Sequence, residues 1–186
     1  MWVSVAAGGG GAPARDAARA ASGAVTAPSC GEVVAGAGTP QRLIVSDLPL
    51  HQQGIAQMAD AIAFVLRSHD FRAGRFRIGY QSCDDSTAKQ GGFELEKCKA
   101  NAGLYADTPR VIGVVGPYNS DCAYQQIAIT NRAGPLATIS PTNTGLALTK
   151  PVPGGGPGAR DTAGFYPTGR RHYARLLGTD SGQGAA

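Results

Sequence analysis

Small polar side chains follow two apolar stretches of this chain, and their chemistry suits the binding of a small polar ligand. Residues 111–115 (Val-Ile-Gly-Val-Val) lead to Tyr118, Asn119 and Ser120, and residues 136–139 lead to Ser-Pro-Thr-Asn-Thr at 140–144. Hydroxyl groups beside the first N–H groups of a helix can bind an anion such as a carboxylate. The same residue types also form helix caps and turns, so Ser120 or Asp121 is equally suited to capping a helix.

Other chemistries that these residue types could support lack the necessary pattern. Asp84 and Asp85 could form a metal or phosphoacceptor pair, but adjacent acids at a strand end are more often caps. A hydrolase triad of Ser120, His172 and an Asp lacks the Gly-x-Ser-x-Gly motif. The four cysteines show no Cys-x-x-Cys spacing, and no histidine lies near them in the sequence, which argues against zinc. We therefore predict no catalytic residue, no metal and no cofactor, and a protein that is not an enzyme.

The apolar pattern places these polar loops in an α/β domain. A helix is predicted over 55–68 because apolar residues recur at helical spacing, and further helices are predicted over 93–106 and 121–133. Short apolar runs predict strands at 43–46, 76–80, 111–115 and 136–139. Alternation of strands and helices predicts a parallel, doubly wound sheet in the order 2-1-3-4. Both polar loops then follow neighbouring strands and meet at the carboxyl edge of the sheet, where open α/β folds bind ligands.

Composition limits the partners of the protein. The 186 residues carry 17 basic and 13 acidic side chains, a net charge of +4, and no basic run interleaved with aromatic residues, so we expect no nucleic-acid partner. No apolar run approaches the roughly 20 residues that a membrane helix needs, so we expect no membrane span. Residues 1–38 are rich in Ala and Gly and show no sustained periodicity, which predicts a disordered tail. The first residues have no basic segment and no clear signal peptide.

From about Leu43 onward, the sequence resembles the first half of a periplasmic binding protein of the leucine/isoleucine/valine-binding type, the substrate-capturing component of ABC importers. The resemblance rests on five features and on two motifs, Cys-Asp-Asp-Ser and Gly-Pro-Tyr-Asn-Ser-Asp-Cys, that are most similar to actinobacterial members. The features are Leu48-Pro49-Leu50, Cys83-Asp84-Asp85, Val111-Ile112-Gly113 leading to Ser120, Ile139-Ser140-Pro141-Thr142-Asn143-Thr144, and Leu148-Thr149.

The resemblance implies a function and a set of binding residues. It implies that the chain binds an amino acid or a similar small polar solute, that the intact protein delivers the solute to an ABC permease, and that the protein is exported to an extracellular or cell-surface location. Family members hold the ligand's α-carboxylate and α-ammonium groups at positions matching Ser120, Thr142 and Thr144, with Asn119 or Tyr118 sharing the role. Residues 50–52 match a position that lines the ligand side chain.

The resemblance also implies a division of the chain. Residues 39–172 match the first lobe, and residues 173–186 match the beginning of a second lobe, most of which is missing, so the expected cleft would have one wall. A ligand-sensing regulatory or receptor domain of the same fold is the alternative function, and an inactive truncated fragment is a third reading.

Four cysteines indicate an oxidising compartment and permit three complete pairings. The resemblance supports a disulfide from Cys83, and Cys83–Cys122 would join a strand end to the start of a nearby helix. Cys98–Cys122 is also compatible with the predicted fold, because both helices should lie on one face of the sheet. The partners of Cys30 and Cys98 stay open at this stage.

Overall fold

The strands of the protein form one mixed sheet with the predicted parallel centre. The computed structural model describes residues 23–87, 91–134, 136–152 and 162–184. Its strands are β1 (Cys30–Ala35), β2 (Arg42–Leu48), β3 (Arg72–Ala73), β4 (Phe76–Asp84), β5 (Val111–Val115), β6 (Ala137–Ser140) and β7 (Tyr173–Arg175). Their order is β1-β4-β2-β5-β6-β7, with β3 paired to β4.

The predicted order of the central strands is confirmed. Strand β2 pairs in parallel with both β4 and β5, and β5 pairs in parallel with β6. The sheet therefore places the carboxyl ends of β2, β4, β5 and β6 along one edge, and every loop that was predicted to bind a ligand leaves the sheet at that edge.

Within the described residues, four α-helices accompany the sheet, and the three long ones agree with the predicted helices. They are α1 (Ala56–Ser68), α2 (Leu95–Asp107), α3 (Ser120–Arg132) and α4 (Asp180–Gln183), and two short 3-10 helices lie at Leu146–Leu148 and Thr162–Phe165. Tyr105 of α2 is buried with Leu43, Val45 and Val114 of the sheet, whereas α1 packs with Leu48. Each fully buried Leu or Val of this kind contributes about 1.5–3 kcal/mol of hydrophobic stabilisation. Helices thus lie on both faces of the sheet.

Helix α1 covers its face of the sheet only in part. Val65, which the helical pattern predicted to face inward, is 54% exposed. It lines an apolar groove of about 380 Å³ together with Ile44 and Val115. Ile139, the register partner of Val115 on the next strand, is 45% exposed.

The N-terminal region departs from the prediction. Residues 1–38 were expected to form a disordered tail, but Cys30–Ala35 forms strand β1, which pairs antiparallel with β4. A disulfide joins Cys30 to Cys83 at that pairing, and Val25 is fully buried in the core. Pairing with β4 and the disulfide to Cys83 hold this strand in the sheet, whereas its sequence, Cys-Gly-Glu-Val-Val-Ala, has only two adjacent β-branched residues and gives a weak local strand signal. The part of the predicted tail at 1–22 lies outside the described residues.

The C-terminal region also departs from the prediction. Tyr173–Arg175 was expected to begin a second lobe, but it forms β7 and pairs in parallel with β6. Its hydrogen bonds continue the same sheet as the central strands. No helix within the described residues is long and apolar enough to cross a membrane.

Candidate functional site

The two predicted binding loops are hydrogen-bonded to each other at the carboxyl edge of the sheet. The Thr142 hydroxyl donates to the carbonyl oxygen of Tyr118, and the Asn143 Nδ2 group donates to the same oxygen at 2.8 Å. The Ser140 hydroxyl donates to the carbonyl oxygen of Pro117 at 2.8 Å. These bonds join the loop after β5 to the loop after β6, so the prediction that the polar groups of both loops lie together is confirmed.

Ser120 contributes a hydroxyl group whose hydrogen has no acceptor among the described residues. The predicted capping role of Ser120 or Asp121 is wrong, because Asn119 is the N-cap of α3 and makes no side-chain capping bond. The Ser120 Oγ instead accepts the N–H groups of Thr144 at 3.2 Å and Gly145 at 3.1 Å. A hydroxyl oxygen has two lone pairs, so both are occupied and the O–H hydrogen is the group left to donate. An anionic oxygen beside the start of α3 is a suitable acceptor.

Two further predicted residues border this position. The Asn119 Oδ1 atom is buried and has no hydrogen-bond partner among the described residues. Tyr118 packs against the buried cluster that includes Leu48 and Ile55, as does Leu50 in the loop between β2 and α1. The loop that was predicted to line the ligand side chain therefore lies beside the two polar loops.

Asp84 fixes the loop after β2 in place. It accepts the N–H group of Leu50 at 2.9 Å, the Ser86 hydroxyl at 2.6 Å and the Lys97 ammonium at 2.9 Å, and its Oδ2 lies 3.1 Å from the His51 Nδ1. Burial alone would raise the pKa of Asp84, but the bonds from Ser86, Lys97 and Leu50 outweigh it and lower the pKa. Asp84 thus stays ionised and holds the loop after β2 in place through these bonds, but it caps neither α1 nor α2, whose N-cap residues are Ile55 and Glu94.

Asp47 lies beneath the site as a buried acceptor. Its Oδ1 accepts the Tyr105 hydroxyl at 2.6 Å and the Asn101 Nδ2 group at 2.7 Å, and its Oδ2 accepts the Gln126 Nε2 group. Burial raises the pKa of Asp47 to about 6 against the opposing effect of these three donors. The sequence analysis missed this network because its members are separated by up to 79 positions and share no local motif.

Asp85 is also buried, but its carboxyl group has fewer hydrogen-bond donors around it than that of Asp47. Its side chain is fully buried, and its Oδ1 has no hydrogen-bond partner among the described residues. Burial, together with the negative charges of Asp47 and Asp84, raises the pKa of Asp85 to about 8. Asp85 is therefore mainly protonated at neutral pH.

The cysteine pairing differs from the prediction. Cys83–Cys122 was expected, but Cys83 bonds to Cys30, and Cys122 bonds to Cys98, the alternative considered above. The Asp85 carboxylate and the sulfur atoms of Cys98 and Cys122 lie within 4.8 Å of one another, which is a metal-ligand spacing. Because the two sulfur atoms share a disulfide, neither is a thiolate that could bind a metal.

Arg175 is a residue of the site that sequence reasoning missed. Its guanidinium donates to the carbonyl oxygen of Gly145 at 2.8 Å and to the Thr149 hydroxyl. The N–H group of Asp180 donates to the carbonyl oxygen of Thr144 at 3.0 Å. Strand β7 and the residues after it therefore contact the loop after β6, and Arg175 adds positive charge there. No motif in this part of the sequence predicted the contact.

His172 lies too far from Ser120 for the two residues to belong to one catalytic triad. The His172 Nε2 lies 3.0 Å from the Thr130 hydroxyl, and its Nδ1 accepts the Asn131 Nδ2 group at 2.8 Å. Asn131 is eleven residues after Ser120 on α3, a distance of about 16 Å along a helix. Burial lowers the pKa of His172 to about 4, so the ring is neutral and structural.

Comparison with known proteins identifies the fold. No protein-family model and no curated protein matches the chain. Among solved structures, the chain is similar to an ABC transporter substrate-binding protein from Desulfitobacterium hafniense in complex with Leu, with a TM-score of 0.53 and 21% identity over 76% of this chain and 35% of that chain. It is similar to a leucine binding protein from Thermotoga maritima, with a TM-score of 0.56 and 16% identity over 77% of this chain and 35% of that chain.

A third similar structure is a branched-chain amino acid transporter substrate binding protein from Streptococcus pneumoniae in complex with isoleucine, with a TM-score of 0.52 and 16% identity over 76% of this chain and 35% of that chain. The chain therefore has an α/β fold similar to part of these solved structures, and the fold that the sequence resemblance implied is confirmed. The chain spans about a third of the length of the structures that it matches.

Proposed function

We propose that this protein binds the carboxylate of an amino acid or of a similar small polar solute at the carboxyl edge of its sheet. The observation that carries the proposal is the Ser120 hydroxyl, whose two lone pairs are occupied by the N–H groups of Thr144 and Gly145 while its hydrogen stays free to donate. The fold supports the proposal, since the similar solved structures are substrate-binding proteins, two of them in complex with Leu or isoleucine.

Two sources of positive charge at this edge favour an anionic group. The start of α3 carries partial positive charge, which the Asp121 carboxylate in its first turn offsets in part. The Arg175 guanidinium donates to the carbonyl oxygen of Gly145 in the loop after β6. Thr142 and Thr144 border this position. The Thr142 hydroxyl already donates to Tyr118 and the Thr144 N–H group already donates to Ser120, so in this proposal the Thr144 hydroxyl is the group of these two residues that donates to the ligand.

We further propose that the solute is delivered to an ABC permease outside the cytoplasm. Two disulfides are typical of proteins that fold in an oxidising compartment. A ligand-sensing domain of the same fold would use the same binding chemistry, so the ligand experiment below tests the site and not the downstream partner.

The test is calorimetric titration of the 186-residue protein with leucine, glutamate and a series of small amides. The described residues form one wall around Ser120, so we expect dissociation constants in the millimolar range, about 4 kcal/mol of binding free energy. Ser120→Ala should weaken carboxylate binding, whereas the amides, which lack the carboxylate, should bind less in both proteins. In a version with a complete cleft, Ser120→Ala should cost about 1.5–3 kcal/mol, as expected for loss of a hydrogen bond to a charged group.

Ser68→Ala is the matched control, because the Ser68 hydroxyl donates to a carbonyl oxygen on the exposed end of α1. It should leave binding unchanged. Equal affinities for leucine and its amide would contradict the proposed role of Ser120. Equal losses of affinity for leucine in the Ser120→Ala and Ser68→Ala proteins would also contradict it. Micromolar binding by the 186-residue protein would show that a second wall exists, for example through dimerisation.

A further inference from the structure

A second cavity lies at the opposite end of the sheet from the candidate site. It has a volume of about 380 Å³, and its lining includes the segment after β1, the end of α1 and the hairpin of β3 and β4. Pro40 precedes β2, and Arg77 lies at the start of β4, so the cavity borders the amino ends of these strands. Strand β2 has seven residues, which separates the two ends by about 20 Å.

Arginine side chains dominate the charge of this cavity. Arg67, Arg72 and Arg77 line it, and Asp70 is the only carboxylate among its described lining residues. Within the part of the chain that the structure describes, no ion pair joins any of these three guanidinium groups to a carboxylate. Their positive charge is therefore available to a ligand.

The geometry holds two of these guanidinium groups on one side of the cavity. Arg72 and Arg77 are register partners in the β3–β4 hairpin, so their Cα atoms lie opposite each other. The Arg77 Nε donates to the carbonyl oxygen of Thr39 at 2.8 Å, which fixes the direction of the side chain and leaves its terminal N–H groups as donors. Arginine forks of this kind bind the oxygen atoms of phosphate groups in pairs of parallel hydrogen bonds.

Small residues and an unusual turn form the remaining walls. A Cβ atom on Gly36 would lie 3.1 Å from the carbonyl oxygen of Asp70, so the segment after β1 approaches the turn at backbone distance. In that turn, Asp70 and Phe71 both have left-handed backbone angles, with φ values of 53° and 50°. Two successive non-glycine residues in this region are costly, and such strain concentrates at functional sites. The turn brings Arg67, at the end of α1, and Arg72, at the start of the hairpin, to the same cavity.

We propose that this cavity binds a phosphate-bearing ligand through Arg67, Arg72 and Arg77. The site is separate from the solute site and does not depend on the proposed function. Its volume admits a group larger than one phosphate, so a diphosphate should bind more tightly than inorganic phosphate. The phosphate could belong to a free metabolite or to the headgroup of an anionic lipid, and both offer the same chemistry to the three guanidinium groups.

The experiment is a titration of the protein with inorganic pyrophosphate and with inorganic phosphate at constant ionic strength, monitored by the amide resonances of residues 35–39 and 67–78. We expect saturable shifts in these segments, with tighter binding of pyrophosphate. Arg72→Gln should weaken pyrophosphate binding about tenfold or more, which corresponds to the loss of one paired arginine contact. Arg132→Gln, which removes the same charge from the end of α3, should change the affinity less than twofold.

A second arm separates the two sources of phosphate. The protein is mixed with vesicles of phosphatidic acid in phosphatidylcholine and with vesicles of phosphatidylcholine alone, and sedimentation measures the bound fraction. Binding to the phosphatidic acid vesicles that pyrophosphate displaces assigns the site to a lipid headgroup, whereas pyrophosphate binding without vesicle binding assigns it to a free phosphate compound. Absence of saturable pyrophosphate binding, or equal losses in the Arg72→Gln and Arg132→Gln proteins, would overturn the proposal.

Discussion

Replacing Asp85 by Asn should stabilise the protein, and the gain should grow as the pH rises. Asp85 is fully buried, and its Oδ1 atom has no hydrogen-bond partner among the described residues. Asn has almost the same shape and no ionisable proton. The substitution therefore removes the ionisation of a poorly solvated group without opening a cavity.

The pH dependence of this gain in stability follows from the direction in which the pKa of Asp85 is shifted. The pKa of Asp85 is raised from 3.8 to about 8, so the folded protein holds this proton more tightly than the unfolded chain. Below about pH 4 both states carry the proton and the group contributes no penalty. Between pH 4 and 8 the unfolded chain ionises while the folded protein does not, so the free energy of unfolding falls as the pH rises. Each pKa unit corresponds to about 1.4 kcal/mol, which makes the penalty about 4 kcal/mol at pH 7.

The assay is urea unfolding of the oxidised wild-type and Asp85→Asn proteins at pH 4 and pH 7.5, followed by circular dichroism. We expect similar stabilities at pH 4 and a more stable variant at pH 7.5. Asp60→Asn is the control, because it removes the same ionisable group from an exposed position on α1. It should change the free energy of unfolding little at both pH values. An Asp85→Asn effect that is equal at pH 4 and pH 7.5, or a loss of stability at pH 7.5, would refute the reasoning.

Two further changes, a glycine substitution and the removal of a disulfide, test how the sheet is held together. Gly116→Ala should destabilise the protein by about 3 kcal/mol, since Gly116 has a φ of 140° and a Cβ atom there would lie 2.5 Å from the carbonyl oxygen of Asp47. Its control, Gly103→Ala in α2, has no atom within 4 Å of the added methyl group and should stabilise by about 1 kcal/mol in the same urea assay; a reversed order would contradict the packing. Replacing both Cys30 and Cys83 by Ala should cost about 3–4 kcal/mol, because their disulfide closes a separation of 53 residues, and a peptide map showing a different partner for Cys83 would contradict the pairing.

The elements that local signals define were predicted well from the sequence. The apolar run at 111–115 and the helical spacing of apolar residues over 55–68 depend on neighbours within a few positions, and both agree with the structure to within one residue. The parallel order of the central strands followed from the alternation of strands and helices, because a right-handed crossover restricts how such units assemble. The same rule predicted that Ser120 and Thr144 lie at the same edge of the sheet, and the Thr144 N–H group donates to the Ser120 Oγ atom.

The features that were missed depend on contacts between distant residues. Strand β1 has few β-forming residues, and pairing with β4 and the Cys30–Cys83 disulfide hold it in the sheet. The Arg175 contact with the loop after β6 arises only once β7 joins β6. Local patterns carry no information about such pairings. The edge strands and the buried carboxylates could therefore not be predicted from the sequence.

The loops after β5 and β6, at 118–121 and 142–145, are proposed to bind the carboxylate of a small solute at the carboxyl edge of the sheet. The most direct measurement is a titration of the isotope-labelled protein with L-leucine, with every backbone amide resonance followed by NMR. We expect saturable shifts concentrated at residues 118–121 and 142–145, weakened in the Ser120→Ala protein and unchanged in the Ser68→Ala protein. Shifts that centre on another surface, or no saturable shift in these two loops up to the solubility limit of leucine and of glutamate, would contradict it.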